Sequence, residues 1–159
     1  MLDLTGRNAL ITGSARGIGR AAALLLAQHG AGIIVNDLKE TPEGAQTVAQ
    51  LEAMGGRAVF IAADVADSAS AARLCEEALD RMGHVDILVN NAGIARQNTM
   101  ANISEEDWDA VIDVNLKGVF NTCKRFVPPM QERGWGRVIN LSSIAGRRGS
   151  MFGDVHYSS

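Results

Sequence analysis

Five short apolar runs that alternate with longer segments of helical periodicity most limit what this chain can fold into. The runs are Asn8–Thr12, Gly32–Asn36, Ala58–Ala63, Val85–Asn90 and Arg137–Leu141. They are continuously apolar rather than alternating, which is typical of strands buried on both faces of a parallel sheet. The sequence therefore predicts five parallel strands, with helices covering both faces of the sheet.

The segments between the runs predict four helices. These are Gly17–Gln28, Pro42–Met54, Ser68–Met82 and Glu105–Arg133. Thr41 before Pro42 and Ser104 before three acidic residues are typical N-caps, and Gly30 and Gly55 are typical of helix C-termini. Pro128-Pro129 is expected to bend or end the fourth helix early.

A strand–helix series of this kind predicts the α/β class, as a right-handed, doubly wound parallel sheet of the Rossmann type that stops after the fifth strand. The length of 159 residues fits one domain, residues 1–159. In such sheets, ligands bind beyond the carboxyl ends of the strands, where the strand order reverses. The loops that follow Thr12, Asn36, Ala63, Asn90 and Leu141 are therefore the places to look for a site.

Composition excludes several classes of function. A formal net charge of −3 gives no basic face for nucleic acid or anionic lipid. No apolar run is long enough to span a membrane, and the first residues lack the order of a signal peptide. Cys75, Cys123 and the three histidines fit no metal or redox spacing, so no metal is expected and both cysteines are expected to be buried. Such cysteine usage fits a reducing, cytoplasmic setting.

The loop from Thr12 to Gly19 is the strongest candidate site. Glycine lets the backbone turn tightly and approach a pyrophosphate, which then lies on the free amides at a helix N-terminus. A glycine-rich loop can also be an ordinary tight turn, but here an apolar strand precedes it and an amphipathic helix follows it. The loop predicts dinucleotide binding by Gly13, Ser14, Arg16, Gly17, Ile18 and Gly19.

Asp37, at the end of the second strand, bears on the identity of the dinucleotide. A carboxylate here can accept hydrogen bonds from both ribose hydroxyls of an adenosine, and it repels a 2′-phosphate. This favours NAD over NADP. Arg16 and Lys39 are near enough in sequence to meet a phosphate, which leaves NADP as the alternative, and a solvated strand end is the other interpretation of Asp37.

A series of motifs along the chain resembles the classical short-chain dehydrogenase/reductase family. The motifs are Thr12-Gly-x-x-x-Gly-Ile-Gly19, Asp64-Val65, Asn90-Asn-Ala-Gly93, Asn115, Ser142-Ser143 and Tyr157. Their order and spacing match over the whole chain. Within the family, the 3-oxoacyl-acyl-carrier-protein reductases and the glucose-dehydrogenase-like members share all of them.

The resemblance implies a role for each motif. Asp64 and Val65 would flank the adenine, and Asn91, Ala92 and Gly93 would line the cofactor. Asn115 would hold a water of the proton relay from within the fourth helix. Ser143 would donate a hydrogen bond to the substrate carbonyl, with Ser142 as the alternative, and Tyr157 would be the general acid and base.

The chemistry of a carbonyl reduction agrees with a tyrosine donor, since hydride transfer leaves an alkoxide that needs a proton. A tyrosine with a pKa of about 10 is a poor base at neutral pH, and a nearby positive charge lowers that pKa. In the family, a lysine four residues after the tyrosine supplies the charge. That position would be residue 161, so the 159 residues alone are expected to have little or no turnover.

The leading hypothesis is an NAD(P)-dependent oxidoreductase that interconverts a secondary alcohol and a ketone. The alternatives are a dinucleotide-binding module without catalysis and a scaffold that binds no nucleotide. The resemblance also implies a homotetramer or homodimer for the full-length form, and the fifth strand is expected to present an unpaired edge. His156 lies next to Tyr157, and a position facing the substrate is one interpretation of it, though not the favoured one.

Overall fold

The computed structural model describes residues 2–149 and 155–158 and contains a five-stranded parallel sheet. The strands are β1 (Asn8–Ile11), β2 (Gly32–Asp37), β3 (Ala58–Ala62), β4 (Ile87–Asn90) and β5 (Arg137–Asn140). Their order is β3-β2-β1-β4-β5, and every neighbouring pair is parallel. The order reverses between β1 and β4, so the prediction of a doubly wound sheet is confirmed.

The helices lie where the periodicity predicts them, with one exception in the fourth. They are α1 (Gly17–Gln28), α2 (Pro42–Ala53), α3 (Ser68–Met82), α4 (Glu105–Ile112), α5 (Gly118–Glu132), α6 (Ala145–Arg148) and α7 (Val155–Ser158). The predicted caps are present, since Thr41 Oγ1 accepts from the amide of Gly44 at 3.2 Å and Ser104 Oγ accepts from that of Asp107 at 3.1 Å.

The predicted fourth helix is two α-helices joined by a π-helical turn, Asp113–Lys117. A bend or an early end was expected at Pro128-Pro129, and the early end is wrong, because α5 runs through both prolines to Glu132. Pro129 has no N–H for the carbonyl of Arg125, but Cys75 Sγ donates to that oxygen at 3.6 Å. A thiol from α3 thus replaces the helical hydrogen bond that proline removes.

Two apolar layers cover the central strands. On one face, Leu10, Ile34 and Leu88 pack against α3 and α5 through Leu74 and Phe126. On the other face, alternate strand residues such as Ile11 and Val89 pack with Ala23 of α1 and Leu51 of α2. This two-sided burial explains the continuously apolar sequence of β1, β2 and β4.

The fifth strand departs from that pattern. All four residues of β5 are exposed, although it was predicted to be buried on both faces like the others. Among the described strands it pairs only with β4 and lies at the end of the sheet, as expected for an unpaired edge. Cys123 is a smaller correction, since Cys75 is buried but Cys123 is only half-buried.

Candidate functional site

A cleft of about 620 Å³ opens at the carboxyl ends of the strands, where the strand order reverses. It is lined by Gly13, Arg16, Ile18, Asn36, Asp37, Leu38, Ala63, Asp64, Val65, Asn91, Ala92, Gly93, Ile94, Arg96 and Val114. Nine of these are residues predicted to bind the cofactor. Ser14, Gly17 and Gly19 are the predicted binding residues that do not line it.

The N-terminus of α1 differs from those of α2, α3 and α4, which are capped by side chains. Among the described residues no side chain caps α1, and no acidic residue lies in its first turn. The first amides of a helix need acceptors, and anions are bound where the protein supplies none. Ile18 beside them is 70 % exposed on the cleft wall.

The glycines of this turn permit a close approach of two backbone segments. Gly13 has φ +62°, and a Cβ there would lie 2.9 Å from the Cα of Ala92. A Cβ on Gly19 would lie 2.5 Å from Asn91 Nδ2 and 2.6 Å from the carbonyl oxygen of Gly13. Both positions therefore exclude a side chain, and the turn rests directly on the loop that follows β4.

Thr12 and Asn91 lock these two loops together. Thr12 Oγ1 accepts from the amides of Asn91 at 3.0 Å and Ala92 at 2.9 Å. In return, Asn91 Nδ2 donates to the carbonyl oxygens of Thr12 at 2.8 Å and Gly13 at 2.9 Å. Sequence reasoning gave Thr12 no role of its own, although its place at the end of the first strand was the available signal.

The two predicted carboxylates lie at the carboxyl ends of β2 and β3. Asp37 Oδ2 accepts from the amide of Ala15 at 3.3 Å and its Oδ1 accepts from Leu38 at 2.9 Å. Asp64 Oδ1 accepts from the amide of Ala66 at 2.9 Å. A carboxylate has about four acceptor positions, so each retains capacity for a ligand.

A side chain from α5 supports the loop that carries Asp64 and Val65. Asn121 is buried, and its Nδ2 donates to the carbonyl oxygens of Val65 at 2.8 Å and Ala66 at 3.2 Å. Val65 in turn packs against Gly118, where a Cβ would lie 2.9 Å from Val65 Cγ2. No pattern in the sequence identifies Asn121, because its partners are distant in the chain.

Ser14 is buried, and its hydroxyl is engaged within the sheet. Its Oγ donates to the carbonyl oxygen of Ile11 at 2.7 Å and accepts from the amide of Asn36 at 3.2 Å. Any contact of Ser14 with a ligand would therefore involve its backbone. Gly17 begins α1 with φ +60°, and a Cβ there would meet no atom within 4 Å.

Asn115 lies in the π-helical turn rather than in a regular α-helix as expected. Its side chain forms two hydrogen bonds with one residue: Oδ1 accepts from the amide of Ile94 and Nδ2 donates to the Ile94 carbonyl, both at 2.9 Å. π-helical turns are frequent at functional sites. Here the turn holds the wall of the cleft immediately after Gly93.

Ser143 and Tyr157 lie on segments that pack together. Ser143 precedes α6, is half-buried, and its Oγ accepts from the amide of Ala145 at 3.2 Å, whereas Ser142 is exposed. Tyr157 is half-buried in α7, which packs against α6 and α4. Neither lines the cleft.

Arg96, on the cleft wall, forms an ion pair with Asp107 in the first turn of α4. The Arg96 hydrogen bond is the main cause that lowers the pKa of Asp107; the hydrogen bond from Ser104 and the charge of His156 act in the same direction. His156 is 2 % exposed and stacks on Trp108, with the ring centroids 6.3 Å apart. It is therefore an interior residue and does not line the cleft.

The parallel sheet, its reversal point and the cleft above it define a Rossmann-type nucleotide-binding protein. The profile of the short chain dehydrogenase family matches residues 7–159. The chain belongs to this family of oxidoreductases.

Similar proteins agree with that assignment. A 3-oxoacyl-[acyl-carrier-protein] reductase of Synechocystis sp. is 41 % identical over 158 residues, 99 % of this chain and 64 % of the relative. One of Thermotoga maritima is also 41 % identical, over 99 % of this chain and 63 % of the relative. A structure described as a short-chain alcohol dehydrogenase of Sinorhizobium meliloti has a TM-score of 0.93 and 36 % identity, over 99 % of this chain and 62 % of that one.

The chain spans somewhat less than two thirds of the length of these relatives. None of the helices in the described residues is long and apolar enough to cross a membrane.

Proposed function

We propose that this chain is the cofactor-binding portion of an oxidoreductase that interconverts a secondary alcohol and a ketone with NAD. The observation that carries the proposal is the N-terminus of α1, which has no side-chain cap and opens beside the cleft between Asp37 and Gly93. The carboxylates of Asp37 and Asp64 also line this cleft, where they can accept hydrogen bonds from the hydroxyl and amino groups of a dinucleotide.

The residues present fit such a cofactor. The amides at the start of α1 would hold the pyrophosphate, and Asp37 would accept hydrogen bonds from the adenosine ribose. Asp64 and Val65 would flank the adenine, and Asn91 to Gly93 would lie along the remainder of the cofactor. When bound, NAD supplies the acceptor or donor of the hydride at the substrate carbon.

The proton chemistry belongs to this chain's own side chains. Tyr157 Oη would give a proton to the substrate oxygen during reduction and remove it during oxidation. Ser143 Oγ would donate a hydrogen bond to the same oxygen and so orient the substrate. Asn115 would act at a distance from the reaction, by fixing Ile94 and hence the loop that begins at Asn90.

The proposal predicts separate effects on binding and turnover. We expect NADH titration of the 159 residues, followed by energy transfer from Trp108 and Trp135, to saturate. Turnover is measured in these residues alone and in a fusion that adds the C-terminal third of the Synechocystis relative. We expect little turnover in the former, and in the fusion we expect Tyr157→Phe to lower kcat at least about a hundredfold while NADH affinity is unchanged.

Two other outcomes would contradict parts of this proposal. Saturable NADH binding with no activity of the fusion towards any alcohol or ketone favours a dinucleotide-binding module without catalysis. Absence of NADH and NADPH binding in a folded chain would refute both and leave the scaffold hypothesis. Ser143→Ala tests the proposed role of Ser143. In the fusion, this variant should also lower kcat and leave the NADH affinity unchanged.

A further inference from the structure

Tyr157 lies on α7 (Val155–Ser158), which packs against α4 and α6. Contacts with these two helices therefore contribute to the position of the Tyr157 hydroxyl. The residue next to the tyrosine, His156, makes the aromatic contact with α4.

His156 is buried in an unusual way for a histidine. Only 2 % of the residue is exposed, and neither ring nitrogen has a hydrogen-bond partner within residues 2–149 and 155–158. Burying two unpaired polar atoms costs free energy, so apolar packing must compensate for that loss. The compensating contact is the ring of Trp108, which lies nearly parallel to the imidazole with an interplanar angle of 24°.

Trp108 is itself fixed to the cofactor cleft. It directly follows Asp107, whose carboxylate forms an ion pair with Arg96 on the cleft wall and whose amide donates to Ser104 Oγ. The path from the cleft to Tyr157 thus runs through Arg96, Asp107 and the Trp108–His156 stack.

We propose that His156 is a positioning residue, which docks α7 on Trp108 and so places the Tyr157 hydroxyl. The contact that matters is aromatic stacking and not hydrogen bonding by the imidazole. A phenylalanine at residue 156 keeps the stack and removes the two unpaired nitrogens, whereas an alanine removes both. The importance of the Tyr157 position for catalysis rests on the proposed function. The docking of α7 on Trp108 does not.

The chain contains a single tyrosine, which gives a direct measurement of its placement. Protein made with 3-fluorotyrosine has one 19F resonance, and that resonance reports Tyr157. We expect His156→Ala and Trp108→Ala to move this resonance to its position in urea-unfolded protein and to narrow it. His156→Phe is expected to keep the native position, and His29→Ala, at the end of α1, serves as the matched control.

Far-UV circular dichroism and NADH titration report whether each variant is folded. A folded His156→Ala or Trp108→Ala protein with a native tyrosine resonance would overturn the proposal. So would a folded His156→Phe protein whose resonance has moved, because stacking would then not be the contact that holds α7. If His156→Ala does not fold, the resonances of Trp108→Ala, at a half-exposed residue, and of His156→Phe decide whether stacking docks α7.

A separate readout connects docking with catalysis. In the active fusion, His156→Ala is expected to lower kcat by about a hundredfold without changing the KM for NADH, and His156→Phe is expected to restore it. If His156→Ala displaces the tyrosine resonance but leaves kcat unchanged, the proposal that His156 docks α7 still holds. The proposed role of Tyr157 in catalysis is then contradicted. The two proposals can therefore fail independently.

Discussion

At the start of α1, Gly19 is the residue whose replacement the structure tolerates least. A Cβ there would overlap Asn91 Nδ2, the carbonyl of Gly13 and the Cα of Ser14, at 2.5, 2.6 and 2.8 Å. Two of these atoms belong to backbone and cannot move aside. We expect Gly19→Ala to lower the free energy of unfolding by about 1–3 kcal/mol, measured by urea denaturation, and to weaken NADH binding.

The matched control for this substitution is Gly146→Ala. Gly146 lies in the exposed helix α6, and a Cβ there would meet no atom within 4 Å. We expect the Gly146→Ala variant to have the unfolding free energy and the NADH affinity of the wild type. Equal stabilities for the two variants would show that the turn of α1 can relax away from the loop after β4.

Asp37 is the residue on which the preference for NAD depends. Its carboxylate lies on the cleft wall, and a negative charge repels the 2′-phosphate of NADP. We expect Asp37→Asn to raise the affinity for NADPH relative to NADH by roughly tenfold, a change within the range of one charge–charge interaction near a protein surface. The measurement is a pair of fluorescence titrations.

Glu40→Gln controls for the loss of one negative charge near the same strand. Glu40 is exposed and lies outside the lining of the cleft. It should leave the NADPH-to-NADH ratio unchanged. An equal rise in both variants would mean that the general charge of the surface, and not Asp37, sets the preference.

Individual site residues could be predicted where the chain itself concentrates them. Gly13, Asp37 and Asp64 lie at or just beyond the carboxyl ends of strands, and parallel strands bring such positions to one edge. Asn121 could not be found in this way, because its role is a hydrogen bond to the Val65 carbonyl, 56 residues away. Likewise, no pattern indicates that Asn115 clamps Ile94.

At the level of elements, the limits of α1 and α3 follow from local signals, whereas the course of α5 does not. Proline disfavours a helix interior locally, which is why Pro128-Pro129 predicted a bend or an early end of the helix. The helix persists because a side chain outside it supplies the missing donor at Arg125. Tertiary packing at Phe126 and Met130, both buried, adds to the same result.

That arrangement predicts a coupling between α3 and α5. Burial raises the pKa of the Cys75 thiol, which keeps it protonated and able to donate at neutral pH. We expect Pro129→Ala to restore the N–H for the Arg125 carbonyl and to raise the unfolding free energy by about 1 kcal/mol or more. Cys75→Ala should destabilise the wild type, measured by urea denaturation.

A double-mutant cycle separates this hydrogen bond from simple packing. If the thiol substitutes for the missing amide, Cys75→Ala costs less in the Pro129→Ala background than in the wild type. Cys123→Ala is the control, since Cys123 lies on α5 with Pro129 but its sulfur accepts from Asn90 Nδ2 instead. An identical cost in both backgrounds would mean that Cys75 contributes only its volume.

For the molecule as a whole, the two edges of the sheet are unlike each other. At β3, Arg81 Nη1 donates to the carbonyl of Phe60 at 2.9 Å, so a charged side chain covers part of the open edge. Charged side chains on an edge strand hinder pairing with another molecule. The other edge, β5, combines unpaired backbone with exposed Val138 and Ile139, and Leu141, which follows the strand, is exposed as well.

This asymmetry predicts how the isolated 159 residues behave in solution. An edge strand with exposed apolar side chains favours association, so we expect size-exclusion chromatography to give a concentration-dependent mass above that of a monomer. Ile139 is 47 % exposed on β5, and Ile139→Lys should shift the distribution towards monomer. Leu25→Lys places the same charge on α1, where Leu25 is similarly exposed, and should leave association unchanged. Because both variants add one positive charge, a shift in both would indicate general repulsion, and only a shift confined to Ile139→Lys identifies β5 as the associating surface.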